Sequence, residues 1–459
     1  MNNENNSLFE RMRPSRALAV MALPTVISQI ILLLYNLADT WFIGRTNNPY
    51  MIGASSLAAT IYLTAVSIAN VFGVGGGSLM VRLLGRKKTE DARRVCSYTV
   101  AAAAITALVF SIAVFLFMDP LLKLLGASEN TIVYGRQYIL ATTVIGGVPS
   151  VLTMAMSQLL RNAGYSKKAG FATAFGSILN IALDPLFMFI LLPKGNEVLG
   201  AGIATMLANF CSFAYVVSQF YANQDRSILQ LPRRLETLEP EESHSLYSVG
   251  IPAGIAIFLF DLVTILINRL TASYGDIPLA AMGIVLKLER IPINIGLGVC
   301  LGMVPLIAYN YGAGNLERME QFCSLTRTVI LGFSVICVIL FWFFAPSIVG
   351  SFISEEQTVL QGISFLRGRC FSLPFMMIGY HIVNYMNAVN RGKVSFSLSI
   401  IRHLFLIIPI MLGMNALFGL TGLVWSQLAA DVLNSIIAIL FFWNVERSIE
   451  KEIAGCSAY

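Results

Sequence analysis

Apolar stretches long enough to cross a membrane recur along the whole chain, separated by short polar or basic segments. A spanning helix needs about 20 apolar residues. On that scale the pattern predicts about twelve spans, near 17–44, 52–82, 95–118, 130–160, 168–192, 199–222, 246–272, 278–308, 320–344, 358–388, 395–415 and 421–444. The strict alternation of a barrel strand is missing. The fold class that follows is an all-α polytopic membrane protein.

One polar stretch between spans is long, ANQDRSILQLPRRLETLEPEESHS over Ala222–Ser245. It predicts an N-terminal six-helix lobe over 1–222, a linker over 223–245 and a C-terminal six-helix lobe over 246–459. The two halves also repeat. At an offset of 227 residues Gly75 meets Gly302, Gly85 meets Gly312, Glu90 meets Glu317, Cys96 meets Cys323 and Thr99 meets Thr326. At an offset of 225, Pro149 meets Pro374, Asn162 meets Asn387 and Lys168 meets Lys393. Six spans return the chain to the side it left, so the halves should be pseudo-symmetric bundles about an axis along the membrane normal. Carriers built from such repeats bind substrate between the lobes and expose it to each side in turn. A V-shaped cavity between the bundles is the expected form.

Charge fixes the expected orientation. Basic residues concentrate in alternate loops: Arg11, Arg13, Arg16, Arg86, Lys87, Lys88, Arg93, Arg94, Arg161, Lys167, Lys168, Arg226, Arg233, Arg234, Arg318, Arg391, Lys393, Arg447 and Lys451. The opposite loops hold Arg45, Lys123, Lys194 and Arg269, with Arg136 near an edge. Since cytoplasmic loops carry the excess of Lys and Arg, both termini should be cytoplasmic, in a multi-pass protein of the plasma membrane. The polar, then basic start MNNENNSLFERMRPSRALAV does not read as a cleaved signal. Only 12% of residues are charged, against about 25% in soluble proteins. The net charge of +6 therefore belongs to membrane-flanking loops and gives no reason to expect nucleic acid. Seven cysteines without a CxxC pair and three scattered histidines read as packing residues, not as a metal centre. GVGGGS (Gly73–Ser78) lacks the GK[ST] ending of a phosphate loop and suits close helix packing. HExxH and paired Asp-rich motifs are missing, so no enzyme chemistry is expected, and no selectivity-filter sequence suggests a channel.

Against this background two carboxylates stand out. Asp39 lies in the first span and Asp184 in the fifth. A charged residue at the helix centre costs roughly 2.5–3.5 kcal/mol on insertion scales, so such residues usually face a cavity and serve an ion, proton or substrate path. Asn180 shares a helix face with Asp184 four residues on, and Thr205 sits in GAGIAT of the sixth span. If the first, fifth and sixth spans meet, Asp39, Asn180, Asp184 and Thr205 form an oxygen-rich site. It would suit a hard cation such as Na+ or a proton, since burial and a like-charged neighbour both favour protonation; a hydrogen-bonded packing cluster is the plainer alternative. Pro24 in the first span is either a hinge or a static bend. The C-terminal lobe lacks this cluster: with Pro185 set against Pro409, Leu404 stands opposite Asn180 and Ile408 opposite Asp184. It has its own charges, Asp261, Lys287, Glu289 and Arg290. Asp261 and Lys287 are expected either to pair or to meet a charged substrate. Arg367, Arg369 and Arg402 enter apolar stretches and could snorkel to an interface.

These residues resemble the multidrug and toxic compound extrusion (MATE) family, prokaryotic type. The first span carries that family's opening pattern as Pro24, Gln29, Asp39 and Gly44. NIALDPLF (Asn180–Phe187), GAGIAT (Gly200–Thr205) and PLIAYNYGAG (Pro305–Gly314) are similar to its fifth, sixth and eighth spans. The resemblance implies a secondary antiporter that exports organic, often cationic and lipophilic, compounds against inward H+ or Na+. It has no cofactor beyond that ion and works as a monomer in a bacterial or archaeal cytoplasmic membrane. It also implies that Asp39, Asn180, Asp184 and Thr205 are the coupling site. Asp261 would match an acidic seventh-span position that many members fill with Glu. A flippase for lipid-linked precursors or polysaccharides, from the same superfamily, is the alternative, since such carriers line their cavity with basic residues such as Lys287, Arg290, Arg367, Arg369 and Arg402.

Overall fold

The structure, a computed structural model, describes residues 3–46, 48–225, 227–232 and 236–456. Arg226, Arg233 and Arg234, used above for orientation, lie outside them. The described residues form helices and turns without a strand. Nine helices among them are long and apolar enough to cross a membrane, and a tenth is the bent pair Glu129–Ile145 and Gly147–Asn162. One of the nine, Gly392–Ile453, is two spans in succession. Gly419 breaks it, with φ 59° and ψ −142°, a backbone conformation open to glycine and strained for other residues. The remaining span is Glu356–Cys370 followed by Leu373–Ala388, each too short alone. In the order of the chain these make the twelve helical spans of the sequence pattern.

Helix ends follow local chemistry. Asn48 caps the second span (Pro49–Gly85) by accepting from the Tyr50 N–H at 3.0 Å, with Pro49 at the first helical position. Glu239 and Glu242 form a capping box at the start of the seventh span (Pro240–Ala272). Around the bundle, large apolar side chains such as Leu108, Phe115, Ile265, Phe343 and Phe405 are exposed. A belt of this kind is lipid-facing surface.

The lobes join along four helices. The first span (Pro14–Gly44) packs on the eighth (Asp276–Gly312), and the second packs on the seventh and eighth. Glycines set how close they come. A Cβ on Gly250 would collide with the Val71 carbonyl, and one on Gly75 with the Leu246 carbonyl. Gly298 and Gly302 face the backbones of Val26 and Ala22 at 2.8 and 2.7 Å from where a Cβ would stand. Gly250 and Gly254, like Gly298 and Gly302, are spaced as small-xxx-small contacts, which let helix backbones meet inside a membrane. Gly85 fits against Tyr309, and Gly312 fits against Arg82 in return. Arg82 and Tyr309 are themselves 227 residues apart, so the repeat read from sequence is a reciprocal contact across the seam.

Polar groups close the seam on the face that carries both chain ends. Arg82, buried, donates to Ser78 Oγ at 3.1 Å, Ser245 Oγ at 2.7 Å and Asn390 Oδ1 at 3.0 Å. Tyr309 donates to Glu10 at 2.6 Å, while Phe9 stacks on its ring at 4.8 Å. Arg318 holds the end of the same N-terminal helix (Asn3–Glu10) through the Phe9 carbonyl and the turn after it through the Met12 carbonyl, each at 2.6 Å.

The seam gives opposite signs for two glycine substitutions. Gly332 in the ninth span has nothing within 4 Å of an added Cβ, so Gly332→Ala should stabilise by up to about 1 kcal/mol through helix propensity. Gly250→Ala should destabilise by about 1–3 kcal/mol by overpacking. Thermal unfolding of the two variants in detergent reads both signs.

Candidate functional site

The first span presents two polar faces. Tyr35 and Asp39, four residues apart, turn toward the N-terminal lobe, while Leu33, Asn36, Leu37 and Thr40 turn toward the C-terminal lobe. The fifth span (Ser166–Pro185) packs along the first and the sixth (Glu197–Asn223) along the fifth. Gly170 makes the first contact close, since a Cβ there would lie 2.6 Å from the Pro24 carbonyl. Pro24 lacks an N–H, and polar groups gather where the ladder is interrupted. Arg161 Nε donates to Thr25 Oγ1 at 3.1 Å, and Ser166 Oγ donates to the Met21 carbonyl at 2.6 Å. Irregular backbone at membrane depth is tolerated where such groups satisfy it.

Asp184, Asn180 and Thr205 are brought together and buried, Asp184 completely. The Asn180 amide has two orientations. In one, Nδ2 donates to Thr205 Oγ1 at 2.9 Å. Turned over, its nitrogen donates to Asp184 Oδ2 at 2.8 Å, and its oxygen accepts from the Thr205 N–H at 3.0 Å and hydroxyl at 2.9 Å. The second orientation satisfies donor and acceptor alike and is the one an ionised Asp184 selects. Asp39 comes from across the chamber, close enough for the two carboxylates to feel one another's charge. Its Oδ1 is buried and has no hydrogen-bond partner. Tyr35 of the first span and Tyr138 of the fourth lie within electrostatic reach of both aspartates. The sequence reading missed these two tyrosines; the i, i+4 spacing of Tyr35 and Asp39 was the available signal for the first.

Among the described residues no basic side chain answers these carboxylates. Around them stand the Asn180 amide, the Thr205 hydroxyl and the Tyr35 and Tyr138 phenols. The chamber can therefore take a small cation, held by oxygen from Asp39, Asp184, Asn180 and Thr205, or a proton. Groups of three or more His, Cys, Asp or Glu able to hold a metal ion do not occur among the described residues.

In the C-terminal lobe a cavity of about 330 Å³ lies between the first span and spans seven, eight and ten to twelve. Lys287, Glu289 and Arg290 line it. The expected Asp261–Lys287 pair is not formed: Asp261 interacts with Arg290, whose guanidinium also lies over Phe260 at 6.0 Å, and Lys287 has no ion-pair partner among the described residues. Glu289 is held instead by Arg369, in two parallel bonds of 2.8 and 2.9 Å. Arg402 donates to Asp431 at 3.0 Å, and Gln427 donates to the other Asp431 oxygen at 2.8 Å. Arg369 and Arg402 are thus buried in ion pairs and do not snorkel. Arg367 does reach outward, donating to the Trp342 carbonyl at 3.0 Å and lying over its ring. Asp431 was overlooked, although it stands in an apolar span just as Asp39 does.

Three stretches of π-helix adjoin these clusters: Leu140–Ile145 just after Tyr138, Leu186–Leu191 just after Asp184, and Ile401–Ile407, which contains Arg402 and His403. Local π-helix is frequent at functional sites because the extra residue per turn re-aims side chains.

The MatE family model matches this chain twice, over residues 24–186 and 252–413. The chain is similar to multidrug export protein MepA of Staphylococcus aureus, 28% identical over 443 residues that cover 96% of each chain. MepA of Staphylococcus haemolyticus is 27% identical, with 99% of each chain covered. Among solved structures, the outward-facing conformation of a multidrug resistance MATE family transporter of the MOP superfamily shares the fold with a TM-score of 0.92. It is 21% identical, covering 98% of this chain and 100% of that one. The Vibrio cholerae MATE transporter VcmN in the bent form gives a TM-score of 0.86 at 21% identity, over 98% and 100% of the two chains.

Removing one partner of the Glu289–Arg369 pair strands a buried charge, at a cost of about 3–5 kcal/mol. Arg369→Leu should therefore unfold at a clearly lower temperature than the parent. Adding Glu289→Leu to it should recover most of the loss, as measured by thermal unfolding in detergent.

Proposed function

The chain belongs to the MatE family, and from that premise we propose that it is a secondary antiporter, expelling organic cations in exchange for inward H+ or Na+. The observation that carries this reading is the pair of carboxylates, Asp184 buried and Asp39 half-buried, with no basic partner among the described residues and one buried Asp39 oxygen unpartnered. Ions driven inward across the membrane gain roughly 2.3 kcal/mol per elementary charge per 100 mV. A cation or proton arriving at Asp39 and Asp184 neutralises the chamber. The first span forms one wall of that chamber and one wall of the second-lobe cavity, so occupancy on one side biases the shape of the other. Pro24 serves as the hinge at which this helix bends. The coupling ion shifts the carrier only by its differential affinity for the two conformations. Both termini lie in the cytoplasm, and the seam that Arg82 and Tyr309 close is the inner gate. MepA, by its name an exporter of multiple drugs, supports a substrate range of the same kind.

Vesicles with imposed gradients test the coupling. A sodium gradient alone and a proton gradient alone are applied in separate experiments, and efflux of ethidium is followed. The gradient that drives efflux identifies the ion. Asp39→Asn and Asp184→Asn should each cut gradient-driven efflux by tenfold or more. Full ion-dependent efflux in both variants would remove the site assignment.

A further inference from the structure

A second concavity lies on the lipid-facing side of the C-terminal lobe. The ninth span (Leu316–Gly350) and the twelfth, which follows Gly419, each pack on the tenth. Between them they leave a crevice of about 470 Å³, with the tenth span as its floor. That volume falls within the roughly 300–1,000 Å³ of small-molecule sites. The lining comes as three stripes: Val335 and Val338 from the ninth span, Phe371 and Phe375 from the tenth, Trp425 and Val432 from the twelfth. Spans ten and twelve show other residues, Arg369, Met376 and Gln427, to the cavity between the lobes, so the two concavities are separate. Close contacts tie span ten to span twelve at both ends of the crevice. At one end a Cβ on Gly368 would meet Val424 and Trp425, and at the other Ser435 Oγ donates to the Phe375 carbonyl at 2.8 Å. Every lining side chain is aliphatic or aromatic. A water held in a cavity needs about two to four polar partners, so the fitting occupant is hydrocarbon.

One end of the crevice carries a charge. The directions of the three spans place Trp342, Arg367 and Trp425 at the end away from the chain termini. Trp342 follows Val338 by four residues and Arg367 precedes Phe371 by four, so each continues its stripe by one turn. Arg367 lays its guanidinium over the Trp342 ring at 5.3 Å and donates from Nε to the Trp342 carbonyl at 3.0 Å. Among the described residues it forms no ion pair. The Phe371 ring bridges both tryptophans, with centroids 5.3 Å from Trp342 and 6.3 Å from Trp425. Both indoles are exposed. Tryptophan collects at the depth of lipid headgroups. A guanidinium beside lipid is costly until an anion meets it, and its planar fork takes phosphate in two parallel bonds.

We propose that this crevice is a binding site for an anionic phospholipid of the leaflet away from the chain ends. One acyl chain lies between spans nine and twelve, the phosphate sits on Arg367, and the glycerol lies between Trp342 and Trp425. In phosphatidylcholine the choline cation offsets the phosphate, so the charge of Arg367 selects a lipid of net negative charge. The site stands whether or not the exporter reading does, because none of its residues belongs to the carboxylate chamber or to the cavity between the lobes.

The test uses phosphatidylglycerol with a diazirine in one acyl chain, mixed into phosphatidylcholine nanodiscs that hold the full chain. After photolysis, peptide mass spectrometry locates the label. It should concentrate on 335–339, 371–375 and 425–432. The lipid-exposed stretch 105–116 of the third span is the reference for ordinary contact with the bilayer. A matching phosphatidylcholine probe should label the crevice about tenfold less, the scale of one charge-assisted hydrogen bond. Arg367→Gln should bring the two probes level at the crevice and leave 105–116 unchanged. Val338→Trp, which fills the crevice, should remove the label of both probes from it. Crevice labelling no stronger than that of 105–116 means ordinary boundary lipid and overturns the proposal. Equal labelling by the two probes in the parent means that hydrocarbon alone is bound, and also overturns it. Neither comparison needs a variant to fold. A preference for phosphatidylglycerol that survives Arg367→Gln leaves Arg367 as a brace for Trp342 only, and the proposal fails.

Discussion

A bilayer offers no water to a charge, so every ion carried into it must be met by the protein itself or by something the protein admits. The two lobes answer this constraint in opposite ways. In the C-terminal lobe Glu289 lies against Arg369 and Asp431 against Arg402, each pair closed by direct hydrogen bonds. These charges are neutralised within the protein, and the pairs tie span eight to span ten and span eleven to span twelve. In the N-terminal lobe Asp39 and Asp184 have an amide, hydroxyls and phenols for company. A carboxylate so placed carries a charge that no side chain of the protein cancels, and under the proposed function a proton or small cation would neutralise it. The contrast is between charge closed by the protein and charge left open to the chamber.

Much of the architecture was legible because lipid makes the code simple. Span number followed from apolar length, and the repeat from Gly75, Gly85, Gly302 and Gly312, whose lack of a side chain is what permits the seam. Glycine matches between the halves thus reported a contact and not merely an ancestry. The first-lobe cluster was legible for a related reason: an aspartate inside an apolar run is costly, and Asn180 at the i−4 position from Asp184 shows which face it uses. Two kinds of information were out of reach. Tyr35 and Tyr138 belong to a residue type spread throughout the chain, so only the fold could say which of them meet the aspartates. The pairing of the second-lobe charges depended on which spans are neighbours. Sequence offered Asp261 and Lys287 as a pair across two helices or as contacts for a charged substrate, whereas the fold sets Asp261 by Arg290 and gives Glu289 to Arg369.

Helix irregularity is placed where the chemistry is. Each of the three π-helical stretches lies within or next to a buried polar cluster, and Pro24 interrupts the first span beside Thr25, Arg161 and Ser166. Beside Pro24 the Met21 carbonyl accepts from Ser166 Oγ, and in the first π-helical stretch the Thr143 carbonyl accepts from Ser111 Oγ.

The first span is one helix with two clients. Asp39 and Thr40 are consecutive residues, yet one looks into an acidic chamber and the other into a basic cavity. Neighbouring side chains on a helix are turned about 100° apart, so a modest axial roll trades exposure of one for the other. A helix shared in this way gives the proposed coupling a short path: under it, a turn that loosens the helix on one occupant would tighten it on the other.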